Sequence, residues 1–82
     1  VPLFYFDVIE DEKVIRDDHG VEYPDLEAAE SEAARSAAEI GHDRFTKGNA
    51  REITVQVKDE NRYLLLTVSV VMTVRKTVRA LA

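Results

Sequence analysis

The fold is decided by residues 52–74, EITVQVKDENRYLLLTVSVVMTV. From Glu52 to Lys58 the residues alternate, with Ile53, Val55 and Val57 facing one way and Thr54, Gln56 and Lys58 the other. That is the period-two pattern of a half-buried strand. Asp59-Glu60-Asn61-Arg62 breaks the pattern as a hairpin loop. A second strand follows, predicted over about 62–74. One of its faces carries Leu64, Leu66, Val68, Val70 and Met72, the other Tyr63, Leu65, Thr67, Ser69, Val71 and Thr73. Neither face is convincingly polar, and the strand outruns its neighbour. Residues 75–82, RKTVRALA, form a short basic tail with room for one or two helical turns.

Upstream, residues 24–45, PDLEAAESEAARSAAEIGHDRF, predict a helix over about 25–46. Asp25 is placed to cap it, because its carboxylate can accept from the free amides of the first turn, and Glu27 suits the positive end of the helix dipole. The expected inward stripe is Leu26, Ala29, Ala33, Ala37 and Ile40. A stripe so rich in alanine lets the helix lie close over a sheet but buries little area, so the sheet must supply the bulk. Gly41 is expected to weaken the last turns by roughly 1 kcal/mol relative to alanine. Asp43 and Lys47 form an i, i+4 pair.

At the N-terminal side, Leu3–Ile9 alternates as a strand (about 3–9), with Phe4, Phe6 and Val8 opposite Leu3, Tyr5, Asp7 and Ile9. Glu10-Asp11-Glu12 reads as a hairpin loop without an Asn-Gly or Asp-Gly signal. A short strand is expected over about 13–17, then a turn at Asp17-Asp18-His19-Gly20. The order is strand, strand, helix, strand, strand. It predicts one α+β domain over 1–82, two layers deep, with an antiparallel sheet and one helix packed on one face.

Composition limits function. The 82 residues are 45% apolar and 33% charged, an ordinary globular balance. The chain has no cysteine, which excludes disulfides, thiolate catalysis and cysteine-ligated metals. Neither a membrane span nor a leader is recognised, so a cytoplasmic protein is expected. With 11 basic and 16 acidic residues the net charge is −5, which argues against a broad nucleic-acid-binding face. The charge is uneven, about −8 over residues 1–50 and +3 over 51–82. Arg75, Lys76 and Arg79 are the candidate residues for a nucleic-acid-associated or antitoxin-like role, a reading the three charges support only weakly.

Two further constellations bear on chemistry. Asp17, Asp18, His19 and Glu22, with Asp25 nearby, are the one cluster that suggests a small ligand or a metal in the loop 17–25. Their spacing does not fit a calcium loop, and a solvated turn with a helix cap explains them. No serine stands in a nucleophile elbow and no glycine-rich phosphate loop is present. The expectation is therefore a non-enzyme without metal or cofactor. One helix shields one sheet face, so Leu3, Tyr5, Ile9, Tyr63, Leu65 and Val71 are candidate interface residues. Burying several of them against a second copy favours a homodimer, with an unidentified protein partner as the other option.

The segments FYFDV (4–8), GVEYPDLEAA (20–29) and Ile53 to Arg62 resemble a small bacterial family of unknown function found in rhizobia and related alphaproteobacteria. The resemblance covers about residues 2–68, and the GVEYPDLEAA helix start is its most specific part. The resemblance implies the same hairpin–helix–hairpin domain but carries over no activity or catalytic residue. The chain departs from the family in two places: Asn61-Arg62 stands where a glycine is usual, and the VVMTVRKTVRALA ending is more apolar and more basic.

Overall fold

The computed structural model describes residues 1–78. The elements are β1 (Leu3–Glu10), β2 (Lys13–Ile15), β3 (Val21–Glu22), α1 (Leu26–Thr46), β4 (Glu52–Lys58) and β5 (Leu64–Val71). The strands form one antiparallel sheet in the order β2-β1-β4-β5, with β3 also paired to β1. The helix lies across β4 and β5. This is the expected α+β arrangement, and the elements fall roughly where the residue pattern puts them.

Cross-strand register sorts the side chains. Phe6 pairs with Val57 and Val8 with Val55, while Val55 and Val57 pair with Val68 and Leu66 on the other side. These residues, with Phe4, Ile53 and Val70, face the helix. Ile53, Val55 and Val57 are completely buried, as their alternation requires.

Ala29, Ala33, Ala37 and Gly41 meet this layer, and all four are buried. Steps of four residues advance by about 40° around a helix, so the buried row turns away from Leu26, which is left 41% exposed. Leu26 is thus no member of the inward stripe, whereas Ile40 packs beside it. At Gly41 an added Cβ would come within 2.8 Å of the Phe45 ring and 3.0 Å of Val70. That glycine is a contact point between helix and sheet, not only a weak spot. Asp25 caps the helix as its chemistry demands, its side chain accepting from the Ala28 amide at 2.8 Å.

Three boundaries differ from expectation. The second strand ends at Ile15 instead of running to about 17, because Asp17 turns away and uses its side chain in place of a strand backbone. The short β3, not foreseen, pairs Val21 and Glu22 with Phe4 and Leu3. It is brought there by Gly20, whose φ of 75° and close approach to the Phe4 carbonyl suit a residue without a side chain. The last strand runs from Leu64 to Val71 instead of about 62–74. Beyond it, Met72 keeps one bond to the Arg51 carbonyl, and residues 73–78 are neither strand nor helix. Among the described residues no helix is long and apolar enough to cross a membrane.

Candidate functional site

Among the described residues Asp7 is the one charged residue that is buried, 2% exposed, and it lies on the sheet face away from the helix. Its Oδ2 accepts from Lys58 Nζ at 2.7 Å and from Arg62 Nη2 at 2.8 Å; its Oδ1 accepts from the Asp17 amide at 2.9 Å. Arg62 also donates to the Asp17 carbonyl at 3.1 Å, with its guanidinium carbon 4.8 Å from the centre of the Tyr5 ring.

Asp17 completes the cluster. Its Oδ2 accepts from the Phe6 amide and its Oδ1 from the His19 and Gly20 amides, each at 3.0 Å. The Phe6 amide lies on β1 between the stretches that pair with β3 and β2, where no strand reaches it. A carboxylate therefore stands in for a missing strand.

The electrostatics follow from these contacts. Burial works to raise the Asp7 pKa, but the bonds from Lys58 and the Asp17 amide and the charges of Lys58 and Arg62 outweigh it and hold the carboxyl below its ordinary range. Asp17 is likewise raised by burial and by the Asp7 charge, and lowered further by the amides of Phe6, Gly20 and His19. Two ionised carboxylates and two cations with their bonds satisfied form a clamp that ties the 16–20 loop and the β4–β5 turn to the sheet.

That clamp changes the character of the uncovered sheet face. Its centre is polar: Asp7, Lys58 and Gln56, with the Thr54 and Ser69 hydroxyls 2.9 Å apart. Apolar exposure lies instead at the two sides of the sheet: along β5 and its ends, where Tyr63 is 70%, Leu64 53%, Leu65 40% and Val71 60% exposed, and in the short β2 and β3, where Val14, Ile15 and Val21 are exposed. The register slips by one residue between Lys58–Leu64 and Val57–Leu66 pairs, so Leu65 is the extra residue of a bulge and Leu64 stands opposite Lys58, on the polar face.

β5 ends the strand order. Met72, directly opposite Arg51, bonds inward to it. By the alternation of an antiparallel ladder, Thr67, Ser69 and Val71 then turn their backbone groups to the open side. The twelve residues from Tyr63 to Val74 contain no charge and no proline. Native edges are ordinarily blunted by such residues, by shortness or by a cover. The opposite edge, β2, is three residues long with Lys13 in it.

The interface candidates accordingly divide. Tyr63, Leu65 and Val71 lie along the open edge. Leu3, Tyr5 and Ile9 are half-buried within the chain: Leu3 lies against the Gly20 turn, Tyr5 under Arg62, and Ile9 between Val14 and Thr54 in register. Of the acidic loop, Asp17 is spent on backbone amides, Asp18 pairs with Arg16 at 3.3 Å in solvent, His19 is exposed, and Glu22 belongs to β3. Arg75 and Lys76 are exposed beyond the end of β5; Arg79 lies outside the described residues.

Comparison with curated proteins and with solved structures yields no match. A family of unknown function does match, over residues 3–71, a span that runs from the first residue of β1 to the last of β5 and takes in the clamp whole; the chain belongs to the family described as domain of unknown function DUF6894.

Proposed function

We propose that this chain is a non-enzymatic protein-interaction module that accepts an extended strand along the open edge of β5, with a second copy of itself as the first partner. The observation that carries this reading is the edge itself, an eight-residue strand without charge or proline and, among the described residues, without cover, flanked by exposed Tyr63 and Val74. Main-chain pairing at such an edge supplies affinity, and the exposed side chains supply selectivity. The clamp supports a non-catalytic role. Its carboxylates are held ionised, and their oxygens already accept the bonds described, so they are poorly placed to exchange protons with a substrate near neutral pH. A bacterial, cytoplasmic setting fits the cysteine-free composition and the resemblance carried by residues 20–29.

The test is a nuclear magnetic resonance titration at low micromolar protein with a peptide copying residues 63–74 between added lysines. Shift changes and amide protection at Thr67, Ser69 and Val71, with none at β2, are the expected result. Changes confined to β2, or no change at millimolar peptide, would refute strand acceptance.

A further inference from the structure

The edge has a polarity that selects its own occupant. On the N-terminal side of β5 the turn carries Asp59 and Glu60; on its C-terminal side Arg75 and Lys76 follow the last apolar residue. A parallel copy would set cations beside cations and carboxylates beside carboxylates. An antiparallel copy sets the basic end of each strand beside the acidic turn of the other.

Resting on the strand-accepting reading above, we infer that two copies pair β5 against β5 antiparallel about a two-fold axis at Val68, with the segment after Met72 of each copy lying along the Asp59–Tyr63 turn of the other. Val68 is the midpoint of Leu64–Met72. About that centre Thr67 faces Ser69 of the second copy, which joins the backbone groups turned outward on both strands. Leu65 faces Val71 of the second copy, so two of the exposed apolar residues cover each other. Past the Leu65 bulge the Asp59–Glu60 turn closes the end of the ladder toward which Arg75 and Lys76 of the second copy run.

The same register gives a partner to a stretch that lacks one. β4 begins at Glu52, and after the Met72 bond to Arg51 the chain continues through Thr73 and Val74 with none of the described residues beside it in the sheet. Val74 is 62% and Val78 81% exposed. In the pair, Thr73 and Val74 lie beside the Tyr63 end of the second copy's β5. A two-fold axis perpendicular to the sheet keeps both helices on one face, so the four-strand path of each copy becomes half of an eight-strand sheet and neither β5 remains an edge.

Sedimentation velocity at 5–200 µM in 50 mM salt should give twice the 9.3 kDa chain mass. Ser69→Pro removes an outward amide while sparing the β4 ladder and should weaken association at least tenfold. Arg75→Glu with Lys76→Glu should weaken it similarly, and adding Asp59→Lys with Glu60→Lys should restore it. Because the chain has no cysteine, Val68→Cys reports the register: mild oxidation should cross-link it to itself, while Val70→Cys stays uncrosslinked. A monomer at 200 µM overturns self-pairing, and the peptide titration then decides separately whether the edge accepts another strand. A dimer indifferent to Ser69→Pro and uncrosslinked at position 68 overturns this geometry, and with an unresponsive titration overturns the strand-accepting reading as well.

Discussion

At the scale of the residue, Asp7 and Arg62 show how much rests on single side chains. Truncating Asp7 leaves Lys58 and Arg62 facing each other without a counter-charge and strips the Asp17 amide of its acceptor. Asp7→Ala is expected to cost about 3 kcal/mol, measured by urea unfolding, because breaking a buried pair strands the remaining charges. The pH dependence has a definite sign. The folded-state pKa values of Asp7 and Asp17 are depressed, so their contribution is complete above the ordinary aspartate value of about 3.9 and is lost as pH falls through the lower folded values. Asp7→Asn should therefore lower stability at pH 7 yet flatten its decline between pH 4 and pH 2. Arg62 has φ of 68°, a left-handed conformation that favours glycine. The arginine there sends its side chain to Asp7 and Tyr5. Arg62→Gly and Arg62→Ala both lose those contacts, but only alanine keeps the backbone strain, so in thermal unfolding alanine should be the less stable by about 1 kcal/mol.

Elements were legible in the sequence where a local rule governs them. Asp25 before Leu26 marks the helix start whatever surrounds it, and the alternation of Ile53, Val55 and Val57 needs only the strand's own period. What depends on register stayed hidden. In its strand Asp7 reads only as a member of the face with Leu3, Tyr5 and Ile9, because nothing local says that Lys58 and Arg62, more than fifty residues away, close over it. Asp17 reads as a turn residue, since the gap it fills exists only once β2 and β3 flank β1. The residue pattern overstates the length of β5, because the apolar alternation continues after β4 has no residue left to pair with it. Gly41 illustrates the same limit. Helix propensity says that Gly41→Ala should stabilise by about 1 kcal/mol. Val70 and the Phe45 ring occupy the space that the new methyl needs, so the expected outcome is a net loss of about 1 kcal/mol, read from the thermal midpoint. Ala38→Gly, on the exposed side of the same helix, should cost a similar amount through propensity alone.

For the whole molecule, the surplus of apolar surface is real but lies elsewhere than an alternating pattern suggests. The uncovered face should be greasy if every non-helix side chain simply points to solvent, and the clamp replaces its centre with hydrogen-bonded polar groups. The longest run of that surplus gathers where a ladder ends: Tyr63, Leu64, Leu65, Val71 and Val74 exist beside β4's last pairs or beyond them, while Val14, Ile15 and Val21 are exposed in the short strands at the other side. Stability is then tied to association. A partner that binds only the folded chain raises the unfolding midpoint by mass action, so the midpoint should climb steadily as protein concentration rises from 1 to 100 µM. Salt should act on the same quantity. The acidic turn and basic tail lie in solvent, where screening over roughly 8–10 Å at physiological salt reaches them, while the backbone ladder and Leu65–Val71 contact are little affected. Raising salt from 50 to 500 mM should thus reduce the concentration dependence without abolishing it, and Ser69→Pro should abolish it at either salt. A midpoint independent of concentration in the unmodified chain would mean that the edge is stable unpaired and that these residues are isolated surface hydrophobics.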